Sequence, residues 1–217
     1  IMNRVNSMWF ESHKAEYGVL LATVRFLRAL DKPIPKDLTV NEYINKYVNE
    51  YYKIDTEYRK AVTFYRQIGF PSVEFEQLMD VIENSYQIKF LDVLGPAYST
   101  ALSKQDDWDF IGVDMSKDFY RYIQKNPTKK MFVIISDALR YEIGYEIFEK
   151  IKVNKVLKGG AEISHMISPL PSITSFGMAS LLPHKSMTYR KHQVLLDDMP
   201  TNGVAQRDSI LKAKNPN

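Results

Sequence analysis

The chain has 217 residues, of which 45% are hydrophobic and 25% charged, a composition typical of a globular protein with a substantial core. It contains no cysteine, which excludes disulfides and thiolate chemistry and fits a cytoplasmic location. No stretch reaches the roughly 18 consecutive apolar residues that a membrane span requires, so we expect no membrane association.

The net charge of +3 is unevenly distributed along the chain. Residues 1–126 carry 16 Lys and Arg against 18 Asp and Glu, whereas residues 127–217 carry 13 against 8. An anionic ligand would therefore prefer the second part. The excess is too diffuse for a dedicated DNA-binding protein, and a solvated surface is the simpler interpretation.

Roughly the first 110 residues predict three long amphipathic helices joined by short Pro- or Gly-containing breaks. The first covers 8–30 and carries one stripe, made of Phe10, His13, Tyr17, Leu20, Val24 and Leu27. Thr39 and Glu42 predict a capping box for the second helix, which continues to Ile68. Ser72 can cap the third helix.

The second helix is rich in tyrosine. Base stacking on nucleic acid is one interpretation, but the helical spacing favours packing against a neighbouring helix. The tyrosines are Tyr43, Tyr47, Tyr51, Tyr52, Tyr58 and Tyr65.

The rest of the chain predicts an α/β fold. A hydrophobic strand at 131–135 is followed by a helix from Leu139 and by a second strand at 161–167, which implies a parallel pair in an α/β sandwich. A short strand at 193–196 and a helix at 205–212 follow. The sequence thus predicts a helical region at 1–110, a connection at 111–127 and an α/β domain at 128–217, so the fold is α+β overall.

Asp137 immediately follows the first predicted strand, where ligands bind in open α/β sheets. It is a candidate metal ligand. An aspartate at a strand–helix turn also caps helices routinely, so capping is an equally good interpretation.

Thr174 precedes a short apolar helix predicted at 175–182, whose N-terminus offers unpaired N–H groups to a phosphate. Capping by Ser172 or Thr174 is again the alternative. A threonine hydroxyl is a poor nucleophile at neutral pH, and no Lys or His stands at an obvious spacing to act as base. Catalysis would therefore point to a metal ion.

Two motifs together carry a resemblance to a known family. They are Val-Ile-Ile-Ser-Asp137-Ala-Leu-Arg-Tyr-Glu142 and Leu-Pro-Ser-Ile-Thr174-Ser-Phe-Gly-Met-Ala-Ser-Leu-Leu-Pro183. The segment 117–217 resembles the PglZ domain of the alkaline phosphatase superfamily, found in BREX phage-defence systems. The preceding helices resemble those that precede this domain in such proteins.

The resemblance implies metal-dependent cleavage of phosphoesters, including phosphodiesters or nucleic acid, at a two-metal site that uses zinc or another divalent ion. Asp137 matches the family's first metal ligand, and Thr174 matches its nucleophile, which also contacts metal. The N–H groups of Ser175 and Phe176 would hold the phosphate. The family's later Asp and His ligands lie beyond residue 217, so we expect a fragment that is inactive alone.

Two other interpretations remain. The helices could instead dock other defence proteins, with a non-catalytic phosphatase-like half; an exposed patch on the tyrosine-rich helix would support this. A sulfatase-type enzyme is disfavoured because its nucleophile pattern is absent. His165, His184 and His192 are expected to have structural or solvent roles.

Overall fold

The computed structural model describes residues 9–106, 112–124, 131–154 and 160–214. The helices in these ranges are α1 (Lys14–Leu30), α2 (Val40–Lys46), α3 (Tyr52–Tyr65), α4 (Val73–Ser85), α5 (Asp92–Leu102), α6 (Phe119–Gln124), α7 (Tyr141–Lys152), α8 (Thr174–Ser180) and α9 (Val204–Lys214). The strands are β1 (Met187–Arg190), β2 (Gln193–Leu196) and β3 (Met199–Pro200). None of these helices is long and apolar enough to cross a membrane.

Short turns of other helical types adjoin these elements. Two π-helical turns, Tyr47–Tyr51 and Tyr86–Leu91, join α2 to α3 and α4 to α5. Two 3₁₀ turns, Glu11–His13 and Ser116–Asp118, precede α1 and α6. Helix α5 continues through Pro96.

The chain forms two units. The helical unit comprises Ile1–Trp108 and Arg140–Ala161, and the C-terminal unit comprises Asp109–Leu139 and Glu162–Asn217. Helix α7 therefore belongs to the helical unit, although it follows Asp137 in the sequence. This spatial division does not test the predicted domain bounds of 1–110, 111–127 and 128–217, which stay a prediction.

The long amphipathic helices of the helical unit are confirmed, but the predicted inner face of the first helix is wrong. The predicted stripe is partly exposed at Leu20, Val24 and Leu27. The buried residues of α1 are Val19, Ala22, Thr23 and Phe26. Next to this face, a Cβ at Gly18 would lie only 2.5 Å from Cγ of Phe64 on α3. Small residues let α1 and α3 approach closely, so the spacing of the large apolar residues indicated the wrong side.

The predicted capping box and tyrosine packing are both confirmed. The backbone N–H of Thr39 donates to Glu42 Oε2 at 2.8 Å, and the N–H of Glu42 donates to Thr39 Oγ1 at 3.3 Å. The side-chain hydrogen bond from Thr39 lowers the pKa of Glu42. Ring contacts form at Tyr43, Tyr47, Tyr51, Tyr52 and Tyr58, as in the stacked pair Tyr58–Tyr86, whose centroids are 3.9 Å apart.

Asp55 is a buried carboxylate at the centre of the helical unit. It accepts hydrogen bonds from the hydroxyls of Tyr47 and Tyr86, the latter at 2.6 Å. Each tyrosine is the first residue of a π-helical turn. Burial and the adjacent carboxylate of Asp55 raise the pKa of both tyrosines, so the hydroxyls remain protonated donors.

A second set of charges fixes α7 in the helical unit. Glu142 is only 1% exposed and lies 2.7 Å from Arg140 Nη2, a close charge contact without hydrogen-bond alignment. Arg59 on α3 donates to Glu146 at 2.6 Å and lies 3.7 Å from Glu142. The hydrogen bond from Arg59 lowers the pKa of Glu146. Because a buried carboxylate is costly without a cation, these pairs restrict how α7 can lie on α3.

The C-terminal unit contains a small antiparallel sheet with strand order β1-β2-β3. Val194 and Leu196 of β2 are buried with Ala179 of α8 and Ile210 of α9. The predicted strand at 193–196 and the helices near 175–182 and 205–212 are confirmed.

The predicted parallel sandwich is not confirmed, and the strands predicted at 131–135 and 161–167 are wrong. Among the residues that the structure describes, neither segment forms a β-ladder with another strand. The parallel pairing found there is an isolated bridge between Met115 and Ile167. Val133 and Ile135 line an apolar cavity of about 660 Å³, whereas Ile134 is 92% exposed. The side chains thus alternate as in a strand, but a strand also requires hydrogen-bonded neighbours.

Removing one hydroxyl from the Asp55 network should destabilise the helical unit. Tyr86→Phe leaves a buried carboxylate oxygen without its donor, and we expect the free energy of unfolding to fall by about 1–3 kcal/mol. Urea titration followed by circular dichroism measures the change. Tyr65→Phe on α3 is the control. A Tyr86→Phe protein as stable as the control would contradict the role given to the hydrogen bond.

Candidate active site

The structure brings the two motif residues together within the C-terminal unit. Thr174 Oγ1 donates to the carboxylate of Asp137, with distances of 3.1 Å to Oδ2 and 3.3 Å to Oδ1. Both residues are exposed. A hydroxyl and a carboxylate separated by 37 positions in the chain thus share one solvent-accessible location.

The capping interpretations of these residues do not hold. Helix α7 begins at Tyr141 with Arg140 as its N-cap, so Asp137 lies outside the cap position. The N-cap of α8 is Ile173, and no side chain caps this helix. Thr174 is the first helical residue, and its hydroxyl points to Asp137 instead. Neither side chain is occupied in stabilising a helix end.

A strained turn holds Asp137 in place. The next residue, Ala138, has φ of +55°, a conformation that costs an L-residue with a Cβ roughly 1–2 kcal/mol. The N–H of Ala138 donates to Asp137 Oδ1 at 3.0 Å, which fixes the carboxylate against its own backbone. Strain of this kind often occurs at functional sites. Sequence reasoning missed Ala138, because no glycine marks the turn.

The backbone at the start of α8 was predicted to bind phosphate through Ser175 and Phe176. The N–H of Phe176 donates to Ile173 O at 3.1 Å, so it is already engaged. Thr174 and Ser175 belong to the first turn, where a helix offers N–H groups that have no carbonyl of the same helix to bond. The phosphate-binding role of both predicted residues stays a prediction.

The donor set at Asp137 and Thr174 suits part of a metal site. Carboxylate and hydroxyl oxygens bind divalent ions, and a catalytic zinc site usually has three protein ligands. Among the described residues, no group of three or more His, Cys, Asp or Glu side chains could hold a metal ion. Asp137 and Thr174 thus fit as two ligands of a larger set.

The β1–β2 hairpin adjoins the start of α8. The ring of Tyr189 on β1 lies 5.6 Å from the ring of Phe176, two residues after Thr174. Strand β1 ends at Arg190, and the chain turns at Lys191 and His192; we call these three residues the basic tip. Lys191 and His192 both have positive φ, +48° and +62°, where hairpins normally use Asn-Gly or Asp-Gly.

The next turn, at Asp197 and Asp198, also has positive φ, and hydrogen bonds hold the Asp197 side chain there. The carboxylate of Asp197 accepts from the N–H groups of Lys185 and Ser186 at 3.0 and 2.8 Å. The hydrogen bond from Ser186 is the main cause that lowers the pKa of Asp197. The Asp197 carboxylate thus connects the segment before β1 to the turn between β2 and β3.

Structural or solvent roles were expected for the three histidines. His184 Nδ1 lies 2.7 Å from Leu182 O, and His192 is exposed in the basic tip. His165 lies outside regular secondary structure rather than on the predicted strand.

Comparisons with known proteins agree with the two motifs. Residues 117–216 match the family described as the BREX system PglZ alkaline phosphatase-like domain. This part of the chain belongs to the PglZ family of alkaline phosphatase-like domains, as its motifs indicated. No solved structure matches the chain significantly.

Two curated relatives extend the similarity beyond this segment. The alkaline phosphatase-like protein PglZ of Bacillus cereus (strain H3081.97) is 33% identical over 94% of this chain and 24% of its own length. The alkaline phosphatase-like protein BrxZ of Escherichia coli O9:H4 (strain HS) is 36% identical over 63% of this chain and 17% of its own length. The chain thus spans a quarter or less of the relatives it matches.

The Asp197 hydrogen bonds give a pH dependence with a defined sign. A carboxylate whose pKa is lowered by folding contributes stability above its unfolded value of about 3.9, and this contribution is lost as the pH falls through the folded value. We expect Asp197→Asn to lower the free energy of unfolding by less than about 1 kcal/mol at pH 7, because the carboxylate is partly solvated.

Thermal unfolding of both proteins between neutral and acid pH measures this difference. It should shrink steadily below about pH 4. Asn tolerates positive φ, so the variant isolates the charge. A difference that stays constant with pH would contradict the assignment.

Proposed function

We propose that this chain carries part of the active site of a metal-dependent phosphoesterase, with Thr174 as nucleophile and Asp137 as metal ligand. The single observation that carries the proposal is the contact between Thr174 Oγ1 and the Asp137 carboxylate at 3.1 Å. The two capping interpretations fail, which leaves both groups available for chemistry. Membership of the alkaline phosphatase-like PglZ family supports the same reaction class.

In the proposed reaction, Thr174 Oγ1 releases its proton to solvent and attacks the phosphorus atom of a phosphoester. The bond to the leaving oxygen breaks, that oxygen departs with the electron pair, and the phosphoryl group remains on Thr174 until water hydrolyses it. Asp137 accepts the hydrogen bond from the hydroxyl and orients Oγ1. The N–H of Ser175, in the first turn of α8, faces the charge of a phosphate favourably.

A divalent ion, zinc by family resemblance, would supply the positive charge that a neutral threonine hydroxyl needs in order to lose its proton. Asp137 and Thr174 would hold it together with ligands from other parts of the natural protein. The chain's membership in a BREX family supports a setting in phage defence, with other defence proteins as partners and a cytoplasmic location.

A docking role for the helical unit is a second candidate function, but the exposed apolar surface does not lie on the tyrosine-rich helix, where it was expected. The tyrosine-rich helix offers no such patch at Tyr43, Tyr51 and Tyr52, which are buried. The outer face of α1 exposes Leu20, Val24 and Leu27 instead, and this face favours contact with a partner protein. Docking and catalysis can coexist, because they use different units.

The nucleophile can be tested by mutation in the natural protein. We expect Thr174→Ala to lower kcat for a chromogenic phosphodiester by about 10³-fold or more, since the covalent route is lost. Asp137→Asn should have a comparable effect. Ser172→Ala, which removes the neighbouring hydroxyl, is the matched control and should retain activity. Full activity in the Thr174→Ala protein would exclude the proposed nucleophile.

Metal dependence has a separate test. A chelator should abolish turnover by the wild-type protein, and added zinc or manganese should restore it. Calorimetric titration of the chelated protein gives the metal affinity without reference to activity. Asp137→Asn should weaken that affinity about 10-fold or more, because one ligand loses its charge. Equal metal affinity in both proteins would rule out Asp137 as a ligand.

A further inference from the structure

We infer that the β1–β2 hairpin is a binding element for single-stranded nucleic acid, with Tyr189 as a stacking surface and Arg190 and Lys191 as phosphate contacts. The inference gives the proposed phosphoesterase a substrate class and to that extent rests on the proposed function. Four features of the hairpin support it: its position beside α8, its cationic side chains, its exposed Tyr189 ring and the positive φ of its turn.

The place of the hairpin is fixed by an aromatic contact. Tyr189 packs against Phe176 in the first turn of α8, with ring centroids 5.6 Å apart. Phe176 follows Thr174 by two residues. A strand of nucleic acid held by the hairpin would therefore pass close to the start of α8.

The side chains of the basic tip are available to a ligand. Arg190 lies 3.9 Å from Asp198, but the two side chains are 68% and 83% exposed, so solvent screens the pair strongly. Lys191 forms no ion pair with any residue that the structure describes. The other nearby carboxylate, Asp197, is occupied by the N–H groups of Lys185 and Ser186.

The ring of Tyr189 packs against Phe176 and is also accessible to solvent. It is 57% exposed while one part of its ring contacts Phe176. An aromatic ring beside cationic side chains is the usual arrangement for binding single strands, in which the ring stacks on a base and the cations contact the backbone. A small phosphomonoester has no base to stack and no second phosphate to reach.

The turn of the hairpin has a backbone conformation that its side chains do not favour. Asp197 in the next turn also has positive φ, but aspartate tolerates this conformation and the Asp197 carboxylate accepts hydrogen bonds from the N–H groups of Lys185 and Ser186. Lys191 makes no such local hydrogen bond among the described residues, and glycine or asparagine would suit its φ of +48° better. A cationic residue thus occupies a position whose backbone conformation disfavours it.

The test uses the natural protein and a short fluorescein-labelled oligothymidylate, with binding followed by fluorescence anisotropy over a range of salt concentrations. The variant is Arg190→Gln with Lys191→Gly. Glycine suits the positive φ, so the hairpin should fold at least as well without the two charges. We expect about 10-fold weaker binding at low salt, and the slope of log affinity against log salt should decrease by about 1.4 for two lost phosphate contacts.

A matched control removes two exposed charges from the helical unit, Lys32→Gln with Lys36→Gln. It should bind as the wild type does. If the hairpin variant binds as tightly as the wild type, or if the control loses as much affinity as the hairpin variant, the inference is overturned. Stacking is tested separately, because Tyr189→Leu should weaken binding about 10-fold while Tyr189→Phe retains it. Equal affinity in these two proteins would overturn the role of the ring.

Chromogenic phosphodiester turnover separates this inference from the proposed function. Turnover unchanged by Thr174→Ala would defeat the proposed catalysis, yet a loss of oligothymidylate binding in the hairpin variant would still support the hairpin as a binding element.

Discussion

The hydrogen bond from Thr174 to Asp137 links two segments that approach each other only in the folded C-terminal unit. Its geometry depends on features of both segments. On one side, Ala138 has positive φ and its N–H donates to the Asp137 carboxylate. On the other, α8 begins one residue after an extended Ile173, which places the threonine hydroxyl at the end of the helix rather than along its side.

Much of this arrangement could be predicted because its signals are local. Nearby residues in the sequence are enough to indicate the capping box at Thr39 and Glu42 and the short strand at 193–196. The same holds for each motif residue taken separately, Asp137 and Thr174. The inner face of α1 could not be predicted in this way. Small residues such as Gly18 and Ala22 determine it by allowing close approach to α3, whereas the larger apolar residues formed the more conspicuous pattern.

The predicted strand at 131–135 failed for a different reason. Its alternation is present, since Val133 and Ile135 line the apolar cavity while Ile134 faces solvent. Alternation specifies which side chains turn inwards, but a ladder needs backbone partners that a sequence pattern does not name. The positive φ of Ala138 and Lys191 was equally hidden, because neither turn contains the glycine or asparagine that usually marks one.

The two π-helical turns of the helical unit have a consequence for how this sequence is compared with its relatives. A π-helical turn accommodates one more residue than the α-helical turn it replaces, so the helix after Tyr51 is rotated by about 100° relative to an uninterrupted α-helix. Loss of one residue between Tyr47 and Tyr51 would restore the α-helical phase without breaking the helix. In an alignment with relatives, a one-residue gap at this position would thus indicate the same fold with a shifted helical register, and not an alignment error.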